Sequence, residues 1–85
     1  LGPDHPDVGL SLNNLAGLYE TQGQHAQAEP LYKRAQAIYE KAFGPDHPYV
    51  ATVLENVAKL FRATNRGEEA EKFEKRAAQI RATRQ

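Results

Sequence analysis

The chain has 85 residues, 40% hydrophobic and 26% charged, and its eleven basic and eleven acidic side chains cancel. A chain this short forms one small domain at most and buries only about 60% of the surface its unfolded form exposes. It is too apolar for disorder, and no run approaches the ~18 apolar residues of a membrane span.

There is no cysteine, which excludes disulfides, thiolate metal sites and a cysteine nucleophile. The chain opens on Leu1-Gly2-Pro3-Asp4 rather than on the basic and then apolar pattern of a signal peptide. A soluble protein of a reducing, cytoplasmic compartment is the default expectation.

Apolar spacing predicts four helices. Val8, Leu12, Leu15, Ala16 and Tyr19 recur at helical intervals and place the first over 6–22. It is introduced by Gly2-Pro3-Asp4-His5-Pro6. The first proline cannot continue a helix, the aspartate or histidine can cap the next one, and the second proline is tolerated where first-turn N–H groups lack partners. Thr21-Gln22-Gly23-Gln24 breaks the pattern, with Gly23 suited to the left-handed residue that ends a helix.

Ala28, Leu31, Tyr32, Ala35, Ile38, Tyr39 and Ala42 predict the second helix over 25–42. Pro30 lies inside it, where a proline costs about 3 kcal/mol and is expected to kink the axis. After Gly44-Pro45-Asp46-His47-Pro48 the scheme returns. Val50, Val53, Leu54, Val57, Ala58 and Phe61 predict a helix over 48–64, and Ala70, Phe73, Ala77 and Ile80 one over 68–83. Asn65 takes the place of Gly23, since asparagine tolerates the left-handed region, and Lys72 in the place of Pro30 should leave the last helix straighter.

Laid on itself at an offset of 42 residues the chain matches at 16 of 43 positions, from the Gly-Pro-Asp-His-Pro links through Leu12/Leu54, Asn14/Asn56, Ala16/Ala58, Leu18/Leu60, Ala28/Ala70, Ala35/Ala77 and Ile38/Ile80. Self-similarity at such a period marks a solenoid, whose units bury their apolar faces against their neighbours. The units run over 1–42 and 43–85. The fold class is therefore all-α, two helix-turn-helix hairpins of four antiparallel helices forming part of an α-α superhelix.

The pattern large-x2-Leu-Gly/Ala-x2-Tyr, then Ala-x3-aromatic, is met by Leu12, Leu15, Ala16, Tyr19, Ala28 and Tyr32. The second unit gives Leu54, Val57, Ala58, Phe61 and Ala70, but Glu74 stands where the aromatic should be and Phe73 precedes it, which implies altered packing in the last helix. With the 42-residue period, Leu-Asn-Asn-Leu-Ala, Leu-Tyr-Lys-Arg-Ala and the Gly-Pro-Asp-His-Pro link, the chain resembles tetratricopeptide repeats of the kinesin light chain type.

That resemblance implies a concave groove, lined by the first helix of each unit, that accepts peptides. The positions it would place there are Leu10, Asn13, Asn14, Gly17, Glu20 and Thr21, then Thr52, Glu55, Asn56, Lys59, Arg62 and Ala63. Of these, Asn13, Asn14, Gly17, Glu55, Asn56, Lys59 and Arg62 form the expected peptide-binding set. Asparagines would hold a peptide backbone, and Lys59 and Arg62 would meet acidic groups. Gly17 would leave the groove floor low.

The opening without methionine, inside a repeated motif, reads as a fragment of a longer protein. Tyr39 and Phe43 become Arg81 and Gln85 in the second unit, so its last turn is polar, as a terminal repeat requires. The fragment therefore reads as the C-terminal end of an array. The face around Val8, Leu12, Leu15 and Tyr19 would lack the unit it packed against, and a second copy is expected to cover it, making a homo-oligomer.

Other chemistries are poorly supported. His5 and His47 lie in links 42 residues apart without dense ligand spacing, so capping is the simpler account and no metal or cofactor is expected. His25 replaces an aromatic usual in the family and reads as a packing or surface residue. Ser11 is the only serine and sits in no nucleophile elbow, so no enzyme is expected. The tyrosines and phenylalanines at 19, 32, 39, 61 and 73 have core spacing. The eight basic residues from Lys59 onward alternate with four glutamates, a pattern of exposed helical ion pairs rather than of nucleic-acid binding.

Two functions remain: a non-catalytic module binding a peptide of a protein partner, with acidic character the weaker expectation, or a structural end cap that self-associates.

Overall fold

The computed structural model describes residues 2–83. Four helices follow one another: α1 (Pro6–Thr21), α2 (His25–Phe43), α3 (Pro48–Ala63) and α4 (Gly67–Thr83). α1 packs on α2 and α3 on α4 as two hairpins; α2 joins the hairpins by packing on α3, and α1 meets α3 along a smaller contact.

The links act through named bonds. The histidine, not the aspartate, is the cap at both entrances. Nδ1 of His5 accepts the N–H of Asp7 at 3.0 Å, and Nδ1 of His47 accepts that of Tyr49 at 3.1 Å. Pro6 and Pro48 are the first residues of their helices, where a missing N–H costs nothing. Asp4 instead pairs with Lys41 of α2 at 2.8 Å, and that ammonium holds its carboxyl below the usual range.

Both hairpin turns place their central residue in the left-handed region, Gly23 at φ 76° and Asn65 at φ 61°. Each closes in the same way: Gln24 N–H donates to the Tyr19 carbonyl at 2.8 Å, and Arg66 N–H to that of Phe61 at 2.7 Å. This is the six-to-one bond of a Schellman ending, which uses up the last free carbonyls.

Helix limits move by one residue from expectation. α1 and α3 end at Thr21 and Ala63 because Gln22 and Thr64 already serve as caps, while α2 keeps Phe43 because the turn comes at Gly44, φ 90°. α4 begins at Gly67. Pro30 does not interrupt α2, which runs on as one helix with Pro30 and Ala26 both exposed, so the carbonyl that loses its donor lies on the solvent side.

The core centres on α3. Val50, Val53, Leu54, Val57, Leu60 and Phe61 are fully buried between α2 and α4, each contributing about 1.5–3 kcal/mol. The alanines that repeat, Ala16/Ala58, Ala28/Ala70 and Ala35/Ala77, are all buried, and their small side chains let the helices approach closely. Tyr32 and Tyr39 are buried, and Tyr19 and Phe73 pack partly against the core, as their spacing implied. Phe73 meets Phe61 edge-on at 5.2 Å, and Arg66 covers the same ring at 4.1 Å. Glu74 turns out of the core to Arg62. That is how the last hairpin packs without its second aromatic.

The open face of α1 differs from the expected one. Leu12 and Tyr19 pack against the core, while Leu15 and Leu18 are 41% and 53% exposed. Their repeat counterparts Val57 and Leu60 are 0% exposed, because α2 lies on α3 and no helix lies on α1 in the same place.

Candidate functional site

The structure brings together some of the expected groove residues and engages others elsewhere. Asn56 donates from Nδ2 to Oδ1 of Asn13 at 3.2 Å, tying α3 to α1. Asn14 and Lys59 are exposed, and Lys59 forms no ion pair among the described residues. Glu55 accepts two bonds from Arg81 at 2.8 Å each, and that guanidinium holds its carboxyl below the ordinary glutamate range. Arg62 donates two bonds of 2.6 Å to Glu74, so the cation expected to meet a ligand already has a carboxylate.

Gly17 faces the hydroxyl of Tyr32, which would stand 3.8 Å from a Cβ placed there. Glu20 pairs with His25, and Thr21 donates to the Gly17 carbonyl at 3.0 Å.

A cleft of about 490 Å³ opens where the two hairpins join. One wall is the first two turns of α1, with Pro6, Asp7, Leu10 and Asn13; the other is Tyr39 and Phe43 at the end of α2 with Tyr49 and Thr52 at the start of α3. Leu10, Asn13 and Thr52 are groove positions named from the sequence.

The aromatic wall is held by its own packing. The His47 ring stacks on Phe43 at 4.5 Å, Tyr49 stands edge-on to Phe43 at 5.5 Å, and Tyr39 lies 5.4 Å from Tyr49. Burial pushes the Tyr39 hydroxyl above its usual pKa, with Tyr49 and the Asp7 carboxylate adding to the effect.

Sequence reasoning named Leu10, Asn13 and Thr52 but missed Asp7 and the aromatic wall, which stand at positions that do not repeat. Asp7 matches Tyr49, Leu10 matches Thr52, and Tyr39 matches Arg81. The available signal was the density of rings across one link: Tyr39, Phe43, His47 and Tyr49.

The basic excess of the last third is largely engaged. Arg66 reaches Glu29 of α2 at 2.8 Å and Glu69 at 3.0 Å, Arg76 reaches Glu40 of α2 at 2.6 Å, and Lys75 pairs with Glu71 at 3.2 Å. Two of these are the expected pairs within the helical surface, whereas Arg62, Arg76 and Arg81 pair between helices. Among the described residues no helix is long and apolar enough to cross a membrane.

A search among curated proteins finds no match. The family described as tetratricopeptide repeat matches over residues 7–83. Repeats of this family support a protein–protein interaction module in general and are generally non-catalytic scaffolds. With four helices in two hairpins, left-handed residues at both turns and a family match spanning nearly all of it, the chain belongs to the tetratricopeptide repeat family.

Proposed function

We propose that the α1–α3 face binds an extended peptide segment of a protein partner. The observation that carries this reading is the open cleft continuing into the Asn13–Asn56 pair, which puts an apolar wall beside amide groups of the first helices, α1 and α3. Thr52, Asn56 and Lys59 follow at intervals of four and three residues, so they line one stripe of α3. Over the seven residues from Thr52 to Lys59 the helix rises about 10 Å, the span of about three extended residues. Lys59 is the open cation for an acidic ligand residue, since Arg62 is held by Glu74. The 42-residue period and the Gly-Pro-Asp-His-Pro links support assignment to the kinesin light chain type within the family.

A selection from a displayed random peptide library tests this. Recovered peptides should bind Asn56→Ala and Lys59→Ala at least about fivefold more weakly, each loss being that of one hydrogen-bonding or charged partner, with circular dichroism unchanged. An empty selection, or equal binding by both variants, would defeat the reading.

A second reading rests on Leu15 and Leu18. The face they form on α1 is the counterpart of the α3 surface that α2 covers, so self-association would bring a helix of a second copy onto it. Sedimentation equilibrium on the chain and on Leu15→Glu/Leu18→Glu decides it: a dimer that the double variant abolishes supports the reading, and a monomer at high concentration ends it.

A further inference from the structure

We propose that the cleft between α1 and the aromatic link is a subsite for one cationic side chain, lysine or arginine, of the bound peptide. The inference rests on the peptide-binding reading and adds the chemistry of one ligand position. Among the described residues lining the cleft, Asp7 alone carries a formal charge, and it is negative. Three rings, Tyr39, Phe43 and Tyr49, stand on the opposite wall. A side chain with a hydrocarbon stem and a cationic end satisfies both, because its stem covers Leu10 and the rings while its charge meets the aromatic quadrupoles and the carboxylate.

The surrounding charges favour the same sign. Asp7 is mostly exposed and forms no ion pair with lysine or arginine among the described residues. Its approach to His5 Nδ1 at 3.8 Å involves a nitrogen that accepts Asp7's own N–H, hence an unprotonated one. Lys41 is committed to Asp4, and Arg81, which donates to Thr52 at the rim at 3.2 Å, is committed to Glu55. The helix ends gathered here, two N-terminal and one C-terminal, leave a net of about half a positive charge, which the full charge of Asp7 outweighs. The volume of about 490 Å³ falls in the range of ligand pockets and has room for a long side chain.

The test is an amide NMR titration with capped heptapeptides of glycine, serine and alanine that carry lysine, arginine, norleucine or glutamate at the centre. Lysine and arginine peptides should shift the amides of Asp7, Leu10, Tyr39 and Tyr49 and bind at least about threefold more tightly than the norleucine peptide. Asp7→Asn, which keeps the shape, should bring that preference within about twofold, and Tyr49→Leu, which keeps an apolar wall, should lower it as well. Equal or tighter binding of the norleucine or glutamate peptide overturns the proposal, as does the absence of shifts at the cleft with all four. Library-selected peptides that bind without a basic preference would leave the groove reading standing and remove this one. Shifts confined to the cleft, with no effect of Asn56→Ala on selected peptides, would do the reverse.

Discussion

Gly9 of α1 lies against the ring of Tyr39 so closely that a Cβ on the glycine would stand 2.9 Å from Cε1 of the tyrosine and 3.2 Å from Cγ2 of Ile38. The repeat counterpart of Gly9 is Ala51, fully buried, and the counterpart of Tyr39 is Arg81, which lies along the surface of α3 and pairs with Glu55. The missing methyl on α1 is therefore the space into which the tyrosine of the cleft wall packs.

Gly9→Ala should destabilise the protein. Forcing the ring aside costs about 1–3 kcal/mol, against at most about 1 kcal/mol gained from helix propensity. A net loss near 1 kcal/mol would lower the thermal midpoint by about 4–8 °C. Ala51→Gly, at the matching place where Arg81 stands in the repeat position of Tyr39, should destabilise through lost propensity and burial. A Gly9→Ala variant as stable as the parent in urea would contradict the packing described.

Leu18 and Leu60 are the same residue at the same repeat position in different surroundings. Leu60→Ala should cost about 2–5 kcal/mol, as buried leucine truncations do, and Leu18→Ala less than about 1 kcal/mol in the monomer. Urea denaturation of both at low protein concentration makes the comparison. If Leu18→Ala becomes costly only at high concentration, its face is being covered by another copy.

The framework was legible in the sequence because every strong signal was local or repeated. Gly23 and Asn65 stop helices by backbone conformation, Pro6 and Pro48 start them, and the alanine pairs repeat because helices must approach closely twice. The site was less legible because side-chain pairing across helices leaves no periodic trace. Nothing in the spacing of Arg62 announces that Glu74, twelve residues on, takes two of its three guanidinium nitrogens. The exposed face was misplaced by a fraction of a helical turn: Tyr19 lies toward the core and Leu18 away from it, although both are large and apolar.

The two histidine caps give a matched pair of substitutions. His5→Ala and His47→Ala each remove an acceptor from a helix start and should cost about 1 kcal/mol. His47→Ala should cost more, since its ring also stacks on Phe43. Asparagine can restore the cap but not the stack, so His5→Asn should recover most of the loss and His47→Asn only part. Equal recovery at both positions would show that the stack contributes little.

Acid should weaken both the joint between hairpins and the second hairpin itself, through carboxylates that arginines hold in the charged form. Arg66 beside Glu29, and Arg81 beside Glu55, keep both carboxyls below the ordinary value of 4.5. Their folded pKa values lie below the unfolded ones, so as pH falls the unfolded chain takes up protons first. The stability they supply is present above about pH 4.5 and is lost as pH drops through the lower folded values. Glu69 and Glu74 shift in the same direction, and like Glu55 they are about half open to solvent, which screens the share of all three. The measurement is the thermal midpoint of the parent and of Glu29→Gln/Glu55→Gln from pH 7 to pH 3. The variant should be less stable than the parent at neutral pH, and the two should converge in acid. The comparison cancels whatever the histidines contribute, because both proteins carry them. A constant difference across the range would mean that the glutamates act by packing rather than by charge.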